Sequence, residues 1–403
     1  MTCPRSSARA LRVLLSCLGL LGGLVVAPGS ADAIPAFARK YGYDCSMCHS
    51  SYPRLNDLGA RFRDNGYRLP GLETEERTVF EGPTPIALRT SVGFDLLDRP
   101  GKADDQRRFA LNGLDVLSAG VLSPRLSYVF VYTPPISEAR GLAAQEATLE
   151  LANVVLAEVV PRLSVRVGRF EPAYVAFSVK RRLTVSPYEV YDRAFADGAP
   201  MSETQEGLEL TTRLRQFALS AGWVNGASSK LARDIPSDVY ARVSAVFGAG
   251  EGQTAGQRVG VFGYLGQARP VSTTTVLARE TIARVGLDAS LNLRGVNLGL
   301  VAIWERDSGE LWQTTAAQNS LGGLAELSYT PTPRVAGFLR WDAVLPDDAM
   351  GPDLARVTAG GRYHLVSNLA LHLEYTHSQQ GKLAPFAGTR REDFATARLD
   401  LAF

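Results

Sequence analysis

Five consecutive residues, Cys45, Ser46, Met47, Cys48 and His49, carry the most specific chemistry in the chain. Two thiols three positions apart lie on one face of a helical turn. Each can there form a thioether with one vinyl group of a porphyrin, and the next residue, an imidazole, can ligate its iron. C-x-x-C-H is the attachment pattern of a c-type haem. The same letters admit two other readings. A redox disulfide of the C-x-x-C kind belongs in a βαβ context, which the flanking sequence lacks. A structural zinc takes four protein ligands, and no second Cys/His group lies near by. The expectation is one covalent haem c on Cys45 and Cys48, with His49 as the proximal iron ligand.

Such chemistry suits an exported chain, and the first residues read as an export signal. Arg5, Arg9 and Arg12 form a basic region, Leu14 to Val26 an apolar core, and Ala31-Asp32-Ala33 a cleavage site. Residues 1–33 are therefore assigned to a signal peptide, with the mature chain starting at Ile34. The apolar core is too short for a membrane anchor. Leu14-Leu15-Ser16-Cys17 resembles a lipoprotein box, but the apolar run continues past Cys17. Cleavage removes Cys3 and Cys17 and leaves only the two thiols of the motif, so no disulfide framework is available. Against 43 basic residues stand 41 acidic ones, a net charge of +2. No strong field recruits nucleic acid.

Residues 34–83 read as a short, largely helical haem module broken by Pro35, Pro53, Gly59, Gly66 and Pro70. Leu55, Leu58 and Phe62 recur at helical spacing, placed to wall a haem face or to form a small core. The two roles are compatible in a module too small to fold alone. Past His49 the module has no His or Met for a sixth iron position, and Met47 sits badly inside the motif. The Pro83-Thr84-Pro85 stretch closes the module as a stiff connector.

From there to the end, residues 84–403, the pattern changes to period-two alternation broken by turn residues, the signature of outer-membrane strands. In the first strand Ile86, Leu88, Val92 and Phe94 alternate with Ala87, Arg89, Ser91 and Gly93. In the last, Ala395, Ala397, Leu399, Leu401 and Phe403 alternate with Thr396, Arg398, Asp400 and Ala402. The fold expected is mainly β, an antiparallel outer-membrane barrel of about 16 strands facing lipid, with short periplasmic turns and long outer loops. Glu150, Arg166, Arg398 and Asp400 should face the lumen. The longest loop, 171–205, carries Lys180, Arg181, Arg182, Glu189, Asp192 and Asp197, and either folds inward or forms an exposed lid. His364 and His372 flank the Ser367-Asn368 turn on the lumen parity, close to the periplasmic mouth. They are the candidates for a distal iron ligand, with Met201 a looser one and His377 incidental near the outer rim.

The stretch Pro35-Ala36-Phe37-Ala38-Arg39, the motif itself, Pro53-Arg54-Leu55-Asn56, Gly59, Phe62 and Gly66-Tyr67 resembles the N-terminal segment of fused monohaem cytochrome–porins. The best-known members are outer-membrane iron oxidases of Fe(II)-oxidising bacteria. The resemblance spans residues 34–70; over the barrel it is architectural, save that Arg166 to Pro172 is similar to a strand-to-loop stretch of anion-type porins. It implies a haem module plugging a barrel in the outer membrane of a Gram-negative bacterium, at the periplasmic side or in the lumen. It also implies electrons passing from extracellular Fe(II), or another donor, to a periplasmic carrier such as a soluble cytochrome. Two other functions fit the residues: a diffusion porin with a structural or sensory haem plug, and a five-coordinate haem enzyme acting on a peroxide or small gas.

Overall fold

The computed structural model describes residues 36–71, 76–100, 106–135, 147–193, 200–226, 238–248, 256–268, 271–272, 275–276, 280–308, 317–347, 352–381 and 390–403. The segment 1–33 expected to be a signal peptide, and Asp197, lie outside them. The N-terminal segment gives helix α1 (Ala36–Tyr41), strands β1 (His49–Ser51) and β2 (Arg54–Leu55), and helix α2 (Asp57–Asp64). The strands that follow are β3 (Ile86–Asp98), β4 (Gln106–Ser123), β5 (Leu126–Thr133), β6 (Thr148–Val160), β7 (Leu163–Phe170), β8 (Gln205–Leu214), β9 (Phe217–Val224), β10 (Asp238–Phe247) and β11 (Gln257–Ala268). After the small pair β12 (Val271–Ser272) and β13 (Thr275–Val276) come β14 (Glu280–Leu293), β15 (Val296–Asp307), β16 (Gln318–Thr332), β17 (Val335–Pro346), β18 (Leu354–Val366), β19 (Leu369–Gln380) and β20 (Arg390–Ala402). A short helix, α3 (Glu189–Asp192), lies between β7 and β8.

Apart from the small pairs β1–β2 and β12–β13, the strands form one closed antiparallel barrel of 16. Each pairs with its neighbour in the chain, and β20 closes on β3 with Phe394 opposite Leu97 and Leu401 opposite Thr90. Each barrel segment expected from alternation is present, most of them somewhat longer than expected. Closure leaves no unpaired edge, which is what a sheet surrounded by hydrocarbon requires. The alternation fills the two faces as expected. On β15, Leu300 and Trp304 are exposed on the outside while Val301, Ile303, Glu305 and Asp307 are buried inside. One rim carries short links at 124–125, 161–162, 215–216, 294–295, 333–334 and 367–368. Arg294 and Gly295, both at positive φ, make the two-residue hairpin that matches strand twist. The opposite rim carries the long connections.

The longest of these folds inward. Phe170, Tyr174, Phe177, Tyr188 and Tyr191 pack in one buried cluster with Tyr240, Phe262, Tyr264, Val301, Ile303 and Leu324 of the inner wall. The physical cause is the wall itself. Apolar side chains facing a lumen need cover from water, and the loop supplies it. A polar latch fixes the far side. Glu374 accepts from Val185 N (2.6 Å), Ser186 N (2.8 Å) and Ser186 Oγ (2.6 Å). Arg340, fully buried, pairs with Asp342 at 2.6 Å and donates to Pro187 O at 2.7 Å and Ser186 O at 3.2 Å. Arg356 pairs with Glu189.

Arg340→Ala removes the main counter-charge of a fully buried carboxylate and three anchors of the loop, at Thr184 Oγ1, Ser186 O and Pro187 O. It should cost about 3–5 kcal/mol, the usual loss when one partner of a buried pair is deleted. Urea unfolding followed by gel migration reads this; an unchanged midpoint would mean that the loop does not depend on the latch.

Candidate functional site

Residues Cys45–Met47 form a 3-10 turn, closed by Met47 N to Asp44 O at 3.0 Å and Cys48 N to Cys45 O at 3.3 Å. Both thiols are free and half-buried. The chain then enters β1, where His49 lies opposite Leu55 of β2. Asn56 ties turn and helix together. Its Oδ1 accepts from Gly59 N at 2.9 Å, capping α2, while its amide nitrogen donates to Ser46 O at 3.2 Å and Met47 O at 3.0 Å. Helix and turn approach so closely that a Cβ on Gly59 would stand 2.1 Å from the Cys48 carbonyl oxygen.

The His49 ring is oriented from behind. Its Nδ1 lies 3.2 Å from the Pro53 carbonyl oxygen, which calls for the Nδ1–H tautomer and leaves Nε2 as the metal-binding nitrogen. Burial pushes the imidazole down to about 4, so it is neutral at ordinary pH. Burial also raises both thiols above their usual range, with Asp44 adding to the effect at Cys45 and Cys45 to that at Cys48. Two unpaired thiols one turn apart and a neutral, oriented imidazole form a donor set that fits a c-type haem. Of the expected wall residues, Phe62 instead stacks edge-on with Phe37, Tyr41 and Tyr67 in a small aromatic core. Leu55 and Leu58 border the lumen.

The segment is seated inside the short-link end of the barrel. Arg54, at the tip of the β1–β2 hairpin, donates to Ser328 Oγ at 2.8 Å and pairs with the buried Glu326 carboxylate. Ser51 Oγ lies 3.4 Å from His364 Nε2, and Cys45 Sγ lies 3.8 Å from Ser367 O. At the edge, Arg68 donates to Pro124 O at 3.0 Å and Arg39 to Thr84 O at 3.1 Å.

The two distal candidates part ways here. Both face inward and are buried, as the parity requires. His364 touches the hairpin that carries the motif. His372 is instead 3.2 Å from Glu374, the carboxylate that latches the loop. Met201 lies in the aromatic cluster of loop and wall, none of whose members belongs to the module. His377 faces outward against Asp393 at 2.7 Å. The four expected lumen charges all find inner partners: Glu150 with Lys180, Arg166 with Glu209, Arg398 with Asp95 and Asp400 with Arg362. Among the described residues, no group of three or more His, Cys, Asp or Glu side chains is arranged to hold a free metal ion. Sequence reasoning missed the roles of Ser51, Arg54 and Asn56. Asn56 had a readable signal, an Asn just before a helical pattern; the other two depend on partners 313 and 272 residues away.

No family model and no curated protein matches the chain. Solved structures match by fold. OmpT of Vibrio cholerae superposes with a TM-score of 0.56 at 10% identity, over 79% of this chain and 99% of that one. An anion-selective porin from Comamonas acidovorans gives 0.56 at 13%, over 79% and 99%. The outer membrane channel DcaP of Acinetobacter baumannii gives 0.55 at 11%, over 79% and 97%. The barrel thus has a porin fold.

Asn56→Ala deletes a helix cap and both ties to the motif, at a cost of about 1 kcal/mol or more. Asn56→Asp keeps the cap acceptor but loses the two donors, so it should recover the thermal midpoint without restoring protection of the Ser46–Cys48 amides. Hydrogen exchange measures the difference. Equal protection in Asn56→Asp and the parent would refute the tie.

Proposed function

We propose that this chain is an outer-membrane barrel that passes electrons between an extracellular donor, Fe(II) or another reductant, and a periplasmic carrier such as a soluble cytochrome. The observation that carries the reading is the seat of the C-x-x-C-H hairpin, anchored by Arg54, Ser51 and Cys45 to the inner wall and rim of a closed barrel. Cys45 and Cys48 would hold a haem covalently and His49 Nε2 would ligate its iron, which would supply one-electron chemistry. Pro53 holds the His49 ring in the ligating tautomer. Of the two inward histidines, His364 touches the motif hairpin through Ser51 and would be the one to reach a haem held there, while His372 contacts Glu374 of the loop latch. A redox centre seated within the barrel would have no bilayer between it and the lumen, which would shorten its path to a donor that stays outside.

A second reading is a diffusion porin whose haem plug is structural or sensory. The solved neighbours are porins, and fold likeness favours this reading over the first. What supports the conduit is the occupancy of the lumen from both ends, the module at the short-link rim and the loop from the other.

The mature chain, produced in a host that matures c-type haems, tests the two. Fe(II) added anaerobically should convert the oxidised spectrum to sharp reduced bands, and proteoliposomes should not swell in small sugars. Swelling together with an Fe(II)-inert haem gives the porin instead. Absence of covalent haem from the denatured chain would sink both. In the same preparation, His364→Ala should alter the spectrum and His372→Ala leave it unchanged; the reverse outcome would exclude His364 as ligand.

A further inference from the structure

Between the module, the inward loop and the wall strands β5–β11, β14 and β15 lies a cavity of about 580 Å³. That is within the range of about 300–1,000 Å³ typical of small-molecule sites. Six of its arginines share four carboxylates. Arg63 (2.7 Å) and Arg213 (3.4 Å) divide Asp64, and Arg242 (2.6 Å) and Arg258 (3.5 Å) divide Asp288. Arg166 meets Glu209 at 3.1 Å and Arg181 meets Glu171 at 3.6 Å. Glu209 is further occupied by the Tyr240 hydroxyl and the Ala173 amide. Two positive charges are left over. Arg63, on α2 of the module, lines the same chamber as Arg166 and Arg258 of the wall. The Arg242 side chain is only 8% exposed, and its Nε has no hydrogen-bond partner.

We propose that this chamber binds a small di- or tricarboxylate. Guanidinium groups converging without enough carboxylates are completed by an anion that accepts paired N–H donors, and planar carboxylates match that fork. The cavity is large for a lone oxyanion and suits several carboxylates on a short carbon frame. The module is part of the site, since α2 contributes Arg63, so a barrel without its plug would lack it. The same surplus repels a bare divalent cation.

Citrate is the probe, titrated calorimetrically into the full chain in detergent and a non-coordinating buffer. Citrate should bind at least about tenfold more tightly than acetate, and weaken as salt is raised. Arg63→Gln and Arg258→Gln each leave their carboxylate with a second arginine, so the barrel should keep its folded gel migration. Each should weaken citrate about tenfold, the loss expected for a charge-assisted pair. Arg162→Gln, in a rim turn away from the chamber, should not change it. Citrate and acetate binding alike, inorganic phosphate binding as tightly as citrate, or folded Arg258→Gln with parental affinity would each overturn the proposal.

Discussion

The contact between Arg54 and Glu326 governs how the two parts of this molecule relate. Glu326 is fully buried on the inner wall, and a carboxylate taken out of water without a counter-charge is costly by several kcal/mol. The wall therefore carries a charge whose direct ion pair comes from the module, with Arg340 of β17 as a more distant counter-charge, and the module carries a guanidinium whose side chain is almost wholly covered where it docks. Ser328 adds a second acceptor to the same fork, which fixes orientation as well as position. From that one point the rest of the seat follows: Ser51 comes to His364, and the thiol turn comes to the Ser367 rim.

Much of the architecture was legible in advance. Period-two alternation located the barrel strands because lipid and lumen impose opposite demands on successive side chains. The inward direction of Glu150, Arg166, Arg398, Asp400, His364 and His372 followed from the same parity. The direction of loop 171–205 did not, since its charges suit an exposed lid as well as a plug. A clue lay elsewhere, in Val301, Ile303 and Leu324, apolar residues on a parity reserved for the lumen. Such a stripe needs a covering segment, but nothing local says which one. The division of labour between His364 and His372 was equally hidden. Both lie on the same parity near the same turn, and only the three-dimensional position of Ser51 and Ser186 separates them.

The fold and the motif speak to different questions. A porin-like barrel explains how a polar interior survives in a bilayer; it assigns no chemistry to that interior. The chemistry rests on a handful of residues in the first tenth of the described chain, and their arrangement is a matter of local bonds: Asn56 across the turn, Gly59 beneath it and Pro53 behind the imidazole. These bonds hold the turn, the helix and His49 together within the module. The barrel decides what that geometry faces.

The distances along the chain spanned by the seat have a consequence for biogenesis. Cys45 meets Ser367 across 322 positions, Ser51 meets His364 across 313, and Arg54 meets Glu326 across 272. The module is synthesised first, while the strands that receive it are among the last, and the β20–β3 seam is the final pairing to become available. Docking is therefore a late event. Until then the thiol turn remains accessible, and afterwards it rests against a rim. A group of the kind proposed for those sulfurs would meet them with fewest neighbours before the barrel closes, so its attachment would be favoured ahead of docking.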